Sequence, residues 1–241
     1  MKNKKGILGS LVVLVLLGLQ VIFSENKEAP QDTQNQANSQ VQTSQVKEAS
    51  KNSATPSTSE KGRPSFSSLK AASPDLKVED VDLTDPPRFQ KIALSDIRGV
   101  DGDTFVFYIG KKEYRLRLLM VDTPESVKQG MAPAPYGKEA SSFTKKQLQQ
   151  GNISIAFDSG EVKDRYDRYL AYVFVGDRSL QELLLENGYG ILRYLNAGGD
   201  TYQKELASFQ EKAMKQKAGV WDSTGYVKQT KRYYYFEYED Q

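Results

Sequence analysis

Residues 25–75 carry almost no large apolar side chains and are rich in Gln, Ser, Thr, Asn, Ala and Lys. Such a stretch buries too little surface to offset its ordering entropy, so it reads as a disordered polar linker over 25–85. A compact domain is therefore expected over 86–228, close to the common domain size of about 100–150 residues. The last residues, 229–241, form an aromatic and acidic tail.

The chain opens with Lys2, Lys4 and Lys5, followed by an apolar run from Ile7 to Phe23. That run lies between a signal-peptide core and a full membrane span in length. Residues 1–24 are thus expected to be a signal peptide or an N-terminal membrane anchor. The positive flank places the remainder outside the cytoplasm, secreted or held on the outer face of the membrane.

Cysteine and histidine are both absent from the 241 residues. No disulfide, thiolate metal site, imidazole base or histidine zinc ligand is available. Catalysis must use carboxylates, Arg, Lys, Tyr or a metal with oxygen ligands. Lys and Arg number 33 against 31 Asp and Glu, so net charge says little about partners.

The pattern predicts mainly β structure with helices, an α+β fold. A strand is expected over Phe89 to Val100, then a hairpin of Thr104–Ile109 and Glu113–Val121 turning at Gly110-Lys111-Lys112. Gly130, Pro133 and Pro135 mark a loop over 126–135. A helix follows over Tyr136–Gln150, then strands over Ile153–Phe157 and Tyr169–Val175. Ser179 and Glu182 have capping-box spacing before a helix closed by Gly188, and Asp200 is expected to cap a last helix through Lys217. This order suits a five-stranded OB-fold barrel with three helices.

Pairing residue 109 with 113 puts Asp103 opposite about position 119, so Asp103 and Asp122 share the open end of the hairpin. Two carboxylates there repel unless a cation lies between them, and without His or Cys the cation must be hard: Ca²⁺, or less favourably Mg²⁺. Asp101 can support the site from behind, and the Thr123 carbonyl can add a ligand. Taken singly, these residues are better read as a turn-forming Asp-Gly-Asp and a capping Asp. Arg117 points away from Leu116 and Leu118 by strand parity, and Arg168 opens a strand after a charged loop. Each has a surface salt bridge as its plain alternative; together they suit bidentate phosphate capture. Glu125 can deprotonate a water or simply pair with a lysine such as Lys128. The combination points to metal-assisted phosphoryl transfer.

The stretches Val100-Asp101-Gly102-Asp103-Thr104, Arg117 to Glu125, Tyr136-Gly137-Lys138-Glu139-Ala140, Asp164 to Tyr172 and Gly219-Val220-Trp221 resemble the staphylococcal nuclease (thermonuclease) family across about residues 88–222. The resemblance implies an OB-fold domain that binds one Ca²⁺ and hydrolyses DNA and RNA, single strands preferred, leaving 3′-phosphate ends, as a monomer. It implies Asp103, Asp122 and the Thr123 carbonyl as calcium ligands, with Asp101 nearby. It implies Arg117, Glu125 and Arg168 as the catalytic three, and Arg165, Tyr166 and Tyr194 as substrate contacts. Two positions depart from the family pattern. Asp167 replaces a Gly and is expected to bring negative charge near the phosphate, and Asn196 replaces a base-stacking Tyr.

Two other classes compete. A non-catalytic nucleic-acid-binding module on the same fold typically lacks some of these acidic or Arg groups, and all are present here. A surface adhesion protein is suggested by the stalk, which serves an enzyme equally well. The run Tyr233-Tyr234-Tyr235-Phe236 could stack on single-stranded bases, but a packed or partly disordered tail is the preferred reading.

Overall fold

The computed structural model describes residues 63–126, 132–222 and 224–237. The chain divides into units at 1–56 and 57–241, and all described residues fall in the second. The expected signal or anchor segment lies outside the described residues. No helix among the described residues is long and apolar enough to cross a membrane.

Order begins earlier than composition suggests. Helix α1 (Phe66–Ala71) is capped by Ser65, whose hydroxyl accepts from the Ser68 N–H at 3.2 Å. Its Phe66 and Leu69 are buried in the main core. The buried Lys91 donates to the Lys70 carbonyl and, at 3.0 Å, to the Gly176 carbonyl. Lys70 pairs with Glu182 at 2.7 Å. The expected linker thus contains a short docked helix, because two apolar residues three apart suffice to bury one face.

Strands β1 (Leu76–Lys77), β2 (Ile92–Leu94), β3 (Ile97–Gly99), β4 (Thr104–Ile109), β5 (Lys112–Leu118) and β6 (Val121–Asp122) precede helix α2 (Gly137–Leu148). Strands β7 (Ile153–Ala156), β8 (Tyr169–Val175) and β9 (Arg178–Ser179) lead to helix α3 (Leu180–Glu186). Strand β10 (Ile191–Leu192), helix α4 (Gln203–Gln216) and strands β11 (Val227–Gln229) and β12 (Tyr234–Phe236) complete the order.

The main sheet has eight strands in the order β1-β2-β7-β8-β5-β4-β3, with β9 paired to β8. It is an open sheet rather than the closed five-stranded barrel expected, and among the described residues the three expected helices are joined by α1. The reason lies in the strand expected over Phe89 to Val100. It breaks at Ser95-Asp96 into β2, paired with β7, and β3, paired with β4. Chain continuity, not a ladder, links these two separated strands. The mixed α+β arrangement still fits an OB-like fold.

The hairpin register slips by one from expectation. Ile109 pairs with Lys112 across a two-residue turn at Gly110-Lys111, with Gly110 at φ 60°. Thr104 therefore faces Arg117, and the Leu118 N–H donates to the Asp103 carbonyl at 3.0 Å. Strand β8 runs parallel to β5, with Arg117 beside Leu170. One face of these strands supplies Phe105, Phe107, Leu116, Leu118 and Tyr169 to the core, each side chain stabilising by about 1.5–3 kcal/mol on burial.

Helix α3 starts at Ser179, whose hydroxyl accepts from the Glu182 N–H at 3.0 Å. The Glu182 carboxylate instead pairs with Lys70 and Arg178. Helix α4 begins at Gln203 without a side-chain cap. The Asp200 carbonyl, not its carboxylate, accepts from the Gln203 N–H at 3.0 Å.

The C-terminal aromatics form a hairpin, β11–β12, outside the main sheet. Phe236 is fully buried against Ile191 and Val220, and Trp221 meets Tyr234 edge-on at 5.3 Å. The packed reading of this tail thus describes residues up to 237.

Candidate active site

Two glycines bring the acidic turn and the Glu125 segment into place. A Cβ on Gly102 would lie 2.8 Å from the Thr123 Cβ, so only glycine lets the Asp-Gly-Asp turn sit on Thr123. A Cβ on Gly137 would collide with the Glu125 carbonyl, so glycine seats the first turn of α2 against that segment. Thr144 on α2 donates to the Gly102 carbonyl at 2.7 Å, fastening helix to turn.

Asp103, Asp122 and Arg117 meet at this point and are 5, 5 and 7% exposed. The Arg117 guanidinium lies 3.0 Å from Asp103 Oδ2 and donates to Asp122 Oδ1 at 2.6 Å and to the Val121 carbonyl at 2.6 Å. Burial opposes the charge on Arg117, but Asp103 and Asp122 override it and raise its pKa. The turn that makes this possible holds Met120 at φ 59°, a left-handed conformation rare for a side-chain-bearing residue. Asp103 Oδ2 also accepts from the Thr123 N–H at 2.7 Å.

Asp101 has a different task. It accepts from the Gly102 N–H at 2.7 Å and from the Ser126 hydroxyl at 2.5 Å, joining the acidic turn to the segment that carries Glu125. Glu125 is half-buried, and its carbonyl accepts from the Ala134 N–H at 2.9 Å.

Arg168, Arg165 and Tyr166 form a second group. Arg168 is held by Asp164 at 2.6 Å and lies 5.4 Å from the Tyr166 ring centre. Arg165 covers the same ring at 4.7 Å. Partial burial pushes the Asp164 carboxyl up, but bonds from Arg168 and Tyr166 outweigh it and hold the group below its ordinary range. Parallel pairing of Arg117 with Leu170 puts Arg168 on the Arg117 side of the sheet, about 8 Å along and across. Arg115 donates to the Tyr166 carbonyl, linking β5 to this loop.

Tyr194 joins the first group, its ring 5.6 Å from the Arg117 guanidinium. Arg193, not singled out from sequence as a site residue, lies 3.4 Å from Asp122 Oδ2 and 5.1 Å from the Tyr194 ring. Its position follows from β10 pairing with β6, which sets Ile191 opposite Asp122. Asp164 was also missed, although its spacing of four from Arg168 is a visible signal.

Asp167 has φ 61°, which accounts for glycine as the natural occupant of such a position. Its exposed carboxylate turns to Lys163 at 2.7 Å, so the neighbouring lysine takes up its charge. Asn196 is exposed and its carbonyl accepts from the Gly199 N–H at 2.8 Å.

Among the described residues no group of three acidic side chains could hold a metal ion. The donor set fits a hard cation all the same: two adjoining carboxylates and a nearby backbone carbonyl are oxygen ligands only, and calcium sites routinely add carbonyls and waters.

An acidic pair, arginines and exposed tyrosines lie beside an OB-like sheet, a set of groups suited to a phosphate ester. A family model described as "Staphylococcal nuclease homologue" matches residues 115–223. The chain is 38% identical over 165 residues to an uncharacterized Bacillus anthracis protein, covering 65% of this chain and 77% of that one. It is 39% identical over 127 residues to the thermonuclease of Staphylococcus hyicus, covering 53% and 74%. It is 38% identical over 131 residues to endonuclease YncB of Bacillus subtilis, covering 54% and 62%. The chain belongs to the staphylococcal nuclease family and is a hydrolase of the nuclease type.

Proposed function

We propose that the protein is a Ca²⁺-dependent extracellular nuclease that hydrolyses DNA and RNA, single strands preferred, to 3′-phosphate ends. The observation that carries this reading is the Arg117 guanidinium held between Asp103 and Asp122, with Arg168 on the same side of the sheet.

Asp103, Asp122 and the Thr123 carbonyl would hold the cation. Bound there, Ca²⁺ supplies charge neutralisation and polarisation of a phosphoryl oxygen. Arg117 and Arg168 bind the phosphate through paired N–H groups and stabilise the charge that builds on its oxygens. Glu125 takes the proton of the attacking water. The new P–O bond forms as the bond to O5′ breaks, and O5′ takes a proton from solvent to leave as a hydroxyl, while Glu125 returns its proton to solvent. Tyr166, Tyr194 and Arg165 hold the nucleotide. Asp101 positions the Glu125 segment through Ser126. Lys2, Lys4, Lys5 and the Ile7–Phe23 run support export, with the chain secreted or anchored to the outer face of the cytoplasmic membrane and acting as a monomer.

The test is cleavage of single-stranded DNA and RNA by purified protein, with Ca²⁺ and with chelator. Expected are Ca²⁺-dependent fragments whose 3′-phosphates are read by mass. Arg117→Ala and Arg168→Ala should each lose about 10²–10³ in rate. Parental rates in both variants would overturn the assigned roles. Assaying culture medium and washed cells separately tests location.

A further inference from the structure

The C-terminal hairpin lies beyond residues 115–223 matched by the family model. It still reaches the site. Phe236 on β12 anchors it against Ile191 on β10. Two residues after Ile191 comes Arg193, whose guanidinium sits 5.7 Å from the Tyr233 ring centre, 5.1 Å from the Tyr194 ring and 3.4 Å from Asp122 Oδ2. Tyr233, Arg193 and Tyr194 therefore form a ring–cation–ring series that starts beside the acidic pair and leads away from it.

The ring of Tyr233 is presented, not buried. Thr230 fixes the turn: its N–H donates to the Tyr233 carbonyl at 2.9 Å, and its hydroxyl accepts from the Tyr233 N–H at 3.0 Å. Tyr166, Tyr194 and Tyr233 are 54, 53 and 46% exposed, and all three rings sit against arginines. Lys231 and Arg232 are exposed on the same turn and, with Tyr233 and Leu192, line a cleft of about 210 Å³. Exposed aromatic rings interleaved with cations suit stacked bases and the backbone between them.

We propose that Tyr233, with Lys231 and Arg232, is an additional base-stacking subsite that extends the single-stranded nucleic-acid track past Tyr194. This rests on the nuclease reading above. The subsite engages only substrates long enough to reach it, so its contribution grows with oligonucleotide length.

The test compares initial rates of the full protein with Ca²⁺ on a thymidine dinucleotide and a thymidine decanucleotide. Tyr233→Ala should raise the decamer KM by about fivefold or more, with a smaller effect on the dinucleotide KM. Tyr233→Phe keeps the ring and should restore the parental KM ratio. Lys231→Glu and Arg232→Glu should raise that ratio through repulsion, without touching the hairpin's buried anchor. Trp221 fluorescence reports whether the hairpin stays packed. If the parent cleaves both substrates and none of the Ala or Glu variants changes the ratio, the subsite is overturned and the nuclease reading stands. If the parent cleaves neither, both fall.

Discussion

Arg117 donates to Asp122 at 2.6 Å inside the buried acidic pair, so a guanidinium stands against both carboxylates expected to share a dication. Removing Arg117 leaves those carboxylates facing one another. Breaking a buried pair in this way costs about 3–5 kcal/mol. Arg117→Ala should therefore melt well below the parent in chelator. Ca²⁺ should raise its Tm by more than it raises the parent's, since the cation takes over the missing charge. Equal calcium shifts in the two proteins, measured by calorimetry, would mean that Arg117 and the cation do not serve the same pair.

Asp164 grips Arg168 through its backbone N–H at 3.0 Å and its guanidinium at 2.6 Å. Its folded pKa lies below the ordinary value of 3.8. A lowered carboxyl pKa contributes stability that is full above the unfolded value and is lost as pH falls through the folded value. The Tm difference between parent and Asp164→Asn should thus be constant from pH 7 to about 5 and shrink below pH 4. The same variant frees Arg168 to reorient, so it should lower kcat less than Arg168→Ala does. A Tm difference that widens on acidification would show that Asp164 is not the group responsible.

Asp167 spends its side chain on Lys163 and its backbone on a left-handed turn. Asp167→Gly removes the backbone strain and should raise Tm by about 2–4 °C. Because the Asp167 charge is already met by Lys163, the substitution should change KM by less than about threefold at moderate salt. A tenfold fall in KM would instead mean that the carboxylate repels the phosphate, as its sequence position alone suggested.

Local pattern made much of this site legible. Strand parity set Arg117 apart from Leu116 and Leu118, and the hairpin brought Asp103 toward Asp122. Strand β8 matched its expected bounds because a continuous apolar run leaves little choice. The single-residue register error arose at Gly110, whose positive φ permits a two-residue turn where three were expected. Arg193 and Tyr233 were not legible as partners, because their meeting depends on β6–β10 pairing and on burial of Phe236, both long-range. The closed barrel failed for a local reason, the break at Ser95-Asp96, which alternation across Phe89–Val100 does not announce.

Helix α1 shows how averaging hides structure. Across 25–85 the composition is polar, yet Phe66 and Leu69 are 3 and 1% exposed. Phe66 lies 4.9 Å from the Tyr202 ring centre and 6.4 Å from that of Tyr172. Tyr202 also donates to the Pro64 carbonyl at 2.9 Å. These contacts cover core side chains of β8, so α1 is expected to belong to the folding unit rather than to a tether. Phe66→Ala should then cost about 3–5 kcal/mol, whereas Phe66→Leu, which keeps much of the volume, should cost under half as much. A protein beginning at residue 76 should melt lower than the full chain by at least as much as Phe66→Ala does. If truncation leaves Tm unchanged, α1 contributes nothing to the core and the domain starts where the composition placed it, near residue 86.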